Sequence, residues 1–292
     1  MLKKYSIADF NISVDINKDD DFFYERLSAY ESDFGCEADI SFSLRRTSRT
    51  IKADYTNLQK IGADKYYCKV DGSDAIINFD PQKGKIIALT KFNLDYNHVD
   101  ILSYDVSCDY DWEPTHFNHN LVGNAMNYVA AMHSSFVFHS SSLACSDGGV
   151  LFSAPSGTGK STHTGLWLSE FDDVEIINDD TPIIRLNNDG NVDLCGTPWA
   201  GTTGINVNKI VPLRGIVFIS RSDSNAIEKL SSQEALRLFF EAVLPPLNPR
   251  MHLAYLDTIK SIFMNVPIYS LRCNMLPEAA LVAREGIFGR YK

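Results

Sequence analysis

At 292 residues the chain has room for one large domain or two modest ones, each with its own buried core. Its 45% hydrophobic and 22% charged residues are those of a packed globular protein, and they exclude disordered and fibrous classes. A formal net charge of −10 opposes unspecific attraction to nucleic acid or anionic lipid, so neither is expected as a partner.

The first elements read as β structure. Met1-Leu2-Lys3-Lys4-Tyr5 leads into alternation rather than an apolar signal core, and residues 5–16 alternate apolar and polar as one half-buried strand. Residues 39–44 repeat that pattern. Three more strands are expected over 66–70, 75–79 and 85–89, separated by turn signals such as Asp71-Gly72 and Asp80-Pro81. Together these predict a meandering antiparallel sheet and a β-rich domain over residues 1–110. No catalytic constellation is visible in it.

From Pro114 the period changes. Phe117, Leu121, Met126, Val129, Ala130 and Met132 fall on or near one helical face, which predicts a helix opening the second domain, residues 111–292. Short apolar strands are expected over 136–140 and 149–153, and the second runs directly into a glycine-rich loop. Further on, 174–178 and 214–220 read as buried strands. Residues 232–244 read as an amphipathic helix halted by Pro245-Pro246. The fold class expected is therefore α/β with mixed sheets, a smaller β-rich domain preceding a phosphate-loop domain. No run approaches the roughly 18 apolar residues of a membrane-spanning helix, which predicts a cytoplasmic protein with no membrane partner. Cys36, Cys68, Cys108, Cys145, Cys195 and Cys273 are scattered without metal-site spacing and read as reduced structural thiols.

The chemistry concentrates in Ala154-Pro155-Ser156-Gly157-Thr158-Gly159-Lys160-Ser161. This meets the Walker A pattern G-x-x-x-x-G-K-[ST] except at its first position, held by Ala154. Glycines let backbone N–H groups approach phosphate oxygens, and the helix that follows presents its positive end to the same anion. Ser156, Gly157, Thr158, Gly159, Lys160, Ser161 and Thr162 are thus expected to bind the nucleotide ATP. Lys160 supplies charge for the β and γ phosphates, and the Ser161 hydroxyl is placed to ligate Mg2+. Asp179-Asp180 follow Lys160 by 19 and 20 residues, at the end of an apolar segment. A strand returning beside the loop would aim both carboxylates at the metal, one to hold it and the other to take a proton from an attacking hydroxyl. A solvated turn before Thr181-Pro182 is the alternative for this pair.

Phe138-His139-Ser-Ser-Ser-Leu, Pro155-Ser-Gly-Thr-Gly-Lys-Ser161 and Ile177-Asn178-Asp179-Asp180 resemble the HPr kinase/phosphorylase group and, more distantly, ATP-dependent phosphoenolpyruvate carboxykinases. The shared motifs span about residues 136–186. The resemblance implies functional roles for His139, Lys160 and Asp180, with Asp180 the proton acceptor in phosphorylation. A weaker likeness to uncharacterised relatives runs through residues 195–206 and 266–273. The HPr kinases also carry a metal-associated glutamate in a Glu-Ile-Arg-Gly-like stretch, whereas no glutamate occurs here between Glu175 and Glu228.

Arg250 is a candidate for stabilising charge on the transferring phosphoryl group. Thr197, Thr202, Thr203, Asn206 and Lys209 are candidates for an acceptor pocket, with a plain surface loop as the other reading. His163, inside the loop helix, has no such support. These residues predict an ATP-dependent serine kinase-like phosphotransferase acting on a hydroxyl acceptor: a peptide serine, a protein serine or a small polyol. A nucleotide-sensing interaction module without phosphotransfer stays open, as does a homo-oligomeric state. A carboxykinase is the third alternative.

Overall fold

The computed structural model describes residues 2–16, 20–110 and 114–289. Contacts divide the chain into two compact units, Met1–Met132 and His133–Lys292. The architecture is mixed α/β, with a mixed sheet in each unit and six α-helices among the described residues.

The first unit contains β1 (Leu2–Ile7), β2 (Phe10–Asp15), α1 (Asp21–Leu27), β3 (Ile40–Thr47), β4 (Tyr55–Lys60), β5 (Lys65–Val70), β6 (Ser73–Asp80), β7 (Lys85–Phe92), β8 (His98–Tyr104) and α2 (Pro114–Met132). Its sheet runs β1-β2-β3-β8-β7-β6-β5-β4. Residues 5–16 form a hairpin rather than one strand, because Ala8 and Asp9 turn the chain at φ 52° and 61° and set Ile7 opposite Phe10. Two positive φ values are the signature of a type I′ turn, which glycine or asparagine usually announces; here neither does. Nor is the sheet antiparallel throughout. Strands β5 to β7 form the expected meander, which β4 and β8 extend at either side, but β3 pairs parallel with both β2 and β8. A parallel neighbour needs a crossover, and α1 lies in the connection from β2 to β3.

The boundary expected between residues 110 and 111 falls on residues 111–113, which lie outside the described residues. The helix that follows belongs to the first unit, not the second. It packs against α1 and β8, burying Leu121, Val122, Ala125, Met126 and Val129, and Phe117 reaches the core formed by Ile51, Ile77 and Leu89.

The second unit contains β9 (Ser135–Val137), β10 (Ser140–Cys145), β11 (Gly148–Ser153), α3 (Lys160–Glu170), β12 (Glu175–Asn178), β13 (Ile183–Leu186), β14 (Val192–Cys195), β15 (Ile210–Arg221), β16 (Ala226–Lys229), α4 (Ser232–Ala242), α5 (Pro249–Asn265), β17 (Ile268–Cys273) and α6 (Glu278–Phe288). The strand expected over 136–140 ends at Val137, and a separate strand begins at Ser140. The sheet follows β12-β10-β11-β15-β14-β13-β9, with β17 on β15 and β16 on β17. Alternation along the strands feeds two apolar layers. Val150, Phe152, Val217 and Ile219 pack with Trp167 of α3 and Ala279, Ala280 and Ala283 of α6. Phe136 and Phe138 meet Phe239 of α4 at ring separations of 5.2 and 5.0 Å, and Tyr255 of α5 closes on Phe136 at 4.8 Å. Each such buried aromatic contributes about 2–3 kcal/mol.

Strand direction positions everything that follows. β15 is parallel to β11 and to β17. β10 is antiparallel to both β11 and β12, so β12 runs the same way as β11. Four strands therefore end at one edge of the sheet, the edge at which open α/β sheets collect ligands. Among the described residues no helix is long and apolar enough to cross a membrane.

Candidate functional site

The loop after β11 bends as its composition requires. Gly157 has φ +76° and Gly159, at the N-terminus of α3, has φ +117°; a side chain at either would be strained. Thr158 N–H donates to Pro155 O, closing the turn. Ala154 has no positive φ and packs into the core layer beneath α3, so the first position of the pattern does not need glycine here. Behind the loop, Arg221 at the end of β15 donates through Nη2 to Gly157 O at 2.5 Å and through Nε to Thr158 O at 3.1 Å. Sequence reasoning did not single out Arg221, because nothing local marks a strand-end arginine as a loop brace.

Lys160 is 8% exposed and its side chain folds back over the loop. Its Nζ donates to Ala154 O and to His139 Nε2, both at 3.0 Å. An ammonium can only donate, so Nε2 accepts and the ring proton of a neutral His139 sits on Nδ1, which lies 3.3 Å from Asp180 Oδ1. His139 thus stands between the loop lysine and the second aspartate. Burial lowers the Lys160 pKa, and the nearby Asp180 and Asp179 carboxylates act in the opposite direction.

The backbone places His139 firmly. It lies in the break between β9 and β10, where its N–H donates to Ala242 O and its carbonyl accepts from Ser153 Oγ. The next residue ties in the partner, as Ser140 N–H donates to Asp180 O. The two aspartates differ. Asp179 is 7% exposed and its Oδ1 accepts from Ser141 Oγ at 2.7 Å, with Ser141 Oγ also 2.9 Å from Thr164 Oγ1. Asp180 is partly exposed at the mouth of the site.

Asn178 holds the pair in place. Fully buried, it accepts through Oδ1 from the N–H groups of Asp180 and Thr181. It donates through Nδ2 to the carbonyls of Thr197 and Trp199 and to Thr197 Oγ1. That network brings the 199–204 loop over the aspartates. Gly201 has φ +58°, and a Cβ there would lie 3.0 Å from Asp180 Cγ. Asn178 was legible only as part of a motif; its role as a hub is set by contacts 19 and 21 residues away.

The result is one cavity of about 350 Å³ lined by His139, Ser156, Gly157, Gly159, Lys160, Ser161, Thr162, Asp179, Asp180 and residues 200–203. Every expected phosphate-loop residue lines it except Thr158, which faces a neighbouring cavity. β12 does not lie directly beside β11, since β10 separates them, yet its end still delivers Asp179 and Asp180 to the cavity. Thr202 and Thr203 line it as well. Thr197, Asn206 and Lys209 do not: Thr197 is buried in the Asn178 network, Asn206 donates to Gly204 O, and Lys209 pairs with Glu175 at 2.7 Å. Arg250 is also absent from the lining; it is exposed in the first turn of α5. His163 is a core residue: its Nε2 accepts from Trp167 Nε1, and burial pushes its pKa down to about 4.

Among the described residues no three His, Cys, Asp or Glu side chains form a metal-binding group. The cavity instead offers the Ser161 hydroxyl and two carboxylates, all hard oxygen donors. That set fits magnesium, which commonly takes one or two protein carboxylates and completes its shell with phosphate and water. Chemically, the arrangement combines a cation and a backbone cradle for an anion with a carboxylate able to accept a proton. A scan of protein-family models matches none, and a search of curated proteins likewise gives no match.

Proposed function

We propose that this chain is an ATP-dependent phosphotransferase that passes the γ-phosphate to a hydroxyl, with a peptide or protein serine as the acceptor. The observation that carries the reading is the convergence of Lys160, Ser161, Asp179, Asp180 and His139 on one cavity above the glycine-bearing loop. The second unit is then an HPr kinase-like phosphate-loop domain, as the resemblance of residues 136–186 implies.

The chemistry follows from the geometry. Backbone N–H groups of the loop and Lys160 hold the β and γ phosphates, and Lys160 exchanges its contacts with Ala154 O and His139 for phosphate oxygens. Ser161 and Asp179 would hold magnesium, directly or through water, and the ion would supply charge neutralisation for the phosphates. Asp180 takes the proton from the acceptor hydroxyl, whose oxygen bonds to the γ phosphorus as the bond to the β-phosphate oxygen breaks and ADP leaves. His139 orients Asp180 from the side and keeps its carboxylate turned toward the cavity. Fixed dipoles and a placed base are what phosphoryl transfer chiefly asks of a protein.

Among the described residues no arginine lines the cavity. That composition disfavours a carboxykinase, whose carboxylate substrate needs a cationic anchor beyond Lys160. It also favours, as the second reading, a module that senses a nucleotide and transfers nothing. Labelled γ-phosphate transfer to serine-containing peptides separates the two. The kinase reading expects acceptor-dependent ADP formation that falls at least roughly 100-fold in Asp180→Asn while Mg-ATP still binds. Binding without turnover supports the sensor, and unchanged transfer in Asp180→Asn removes Asp180 as the base.

A further inference from the structure

A second cavity of about 510 Å³ opens on the other side of the loop, sharing Gly159 and Thr162 with the first. Its floor is apolar, with Leu166 of α3 and Ile219 of β15, and Met275 stands at its rim with 74% of its surface exposed. Its polar side includes Asp223, just past the end of β15, Asn274, just past the end of β17, and Arg221, whose Nε and Nη2 are engaged by the carbonyls of Thr158 and Gly157. Asn274 is occupied with the fold: its N–H donates to Asn225 Oδ1 and its Nδ2 to Asp223 O, which fastens the two loops together. The main chain of Asp223 is thereby fixed at the cavity edge, and its side chain is exposed there.

We infer that this second cavity takes the nucleoside of the phosphate donor, the base lying between Leu166, Ile219 and Met275 and the ribose hydroxyls donating to Asp223. The assignment rests on the proposed phosphotransferase reading and gives the donor its direction. The first cavity lies at the ends of β11 and β12, the second at the ends of β15 and β17, and the loop with the start of α3 separates them. A triphosphate laid across Gly159 and Thr162 with its γ end at Asp180 has its other end in the second cavity. The lining agrees with a neutral, flat, hydroxyl-bearing group. A carboxylate repels a further phosphate but accepts from ribose hydroxyls, and the unbranched thioether of an exposed methionine adapts to a ring face. The acceptor is not a fitting occupant, because it has to reach Asp180 on the opposite side of the loop.

The test is titration calorimetry on the full chain with magnesium, using ATP, 2′-deoxy-ATP and inorganic tripolyphosphate. The wild type is expected to bind ATP at least about tenfold more tightly than tripolyphosphate, and Asp223→Ala and Met275→Ala are each expected to remove about fivefold to tenfold of that advantage. Both variants should leave tripolyphosphate affinity unchanged, and Asp223→Ala should erase any preference for ATP over 2′-deoxy-ATP. Equal affinity of the wild type for ATP and tripolyphosphate would overturn the nucleoside site and leave the phosphate site standing. An ATP advantage that survives in both variants would place the nucleoside elsewhere. Failure of both ligands to bind would overturn the phosphate reading and this inference with it.

Discussion

Replacing Arg221 by alanine tests whether the phosphate loop is braced from outside. Two hydrogen bonds vanish, those to Gly157 O at 2.5 Å and Thr158 O at 3.1 Å. Charged donors of this kind are worth about 1.5–3 kcal/mol when dry, but this guanidinium is exposed, so roughly 0.5–1 kcal/mol each is the appropriate scale. With both lost, the loop regains the freedom of two glycines. The sum, about 1–2 kcal/mol, predicts tripolyphosphate binding weakened roughly fivefold to thirtyfold by titration calorimetry. The same variant should lower the thermal midpoint by no more than about 2–8 °C, because no core contact is touched. Arg221→Lys should recover little, since a single ammonium does not reproduce the two-pronged fork. Wild-type affinity in Arg221→Ala, in a protein of unchanged midpoint, would refute the brace.

Other consequences follow from neighbouring residues. Gly201→Ala places a methyl 3.0 Å from Asp180 Cγ on a backbone at φ +58°; labelled transfer should drop by about tenfold while ATP affinity holds, since the disturbed group is the proposed base rather than the loop. Ser141→Ala strips Asp179 Oδ1 of its donor in a buried setting. Urea unfolding should show a loss of about 1–3 kcal/mol, and the magnesium dependence of ATP binding should shift to higher concentration. His163 has its pKa lowered by burial from 6.5 to about 4. The folded state thus resists the proton that the unfolded chain accepts. Its contribution is complete above pH 6.5 and is lost as pH falls toward 4, on the order of 2–3 kcal/mol. His163→Gln should flatten that part of the stability–pH curve measured by urea unfolding; an unchanged curve would exonerate His163.

What could be read from the sequence depended on how local the cause was. The strand, loop and helix at 148–170 are specified by consecutive residues, an apolar run, two glycines that must turn and a helical stretch, so they were legible in place. The helix over 232–242 was legible for the same reason, and its capping box of Ser231 and Glu234 fixes the start. The hairpin at Ala8-Asp9 was not, because its turn carries none of the residues that favour positive φ. The parallel placement of β3 was equally hidden, since alternation reveals a strand and not its partner.

The site shows the same division at a finer scale. Lys160, Ser161, Asp179 and Asp180 announced themselves by type and spacing, yet only the order β12-β10-β11 brings them to one edge, and no local pattern encodes that order. Arg250, Thr197, Asn206 and Lys209 were attractive as polar side chains, and all four are spent elsewhere or exposed on another element: a helix start, a buried network, a bond to Gly204 O and an ion pair. The residues that do hold the aspartates, Asn178 and Ser141, looked ordinary because their importance lies in what they touch across 19 to 38 positions of chain. A change at Asn178 should therefore disturb both the 199–204 loop and Asp180 together. Asn178→Ala removes acceptors for two N–H groups and donors to Thr197 and Trp199 at once. Loss of transfer in that variant should come with faster hydrogen exchange in residues 197–206, whereas Asp180→Asn should lose transfer with exchange there unchanged. If the two variants had identical exchange, the 199–204 loop would owe its position to something other than Asn178.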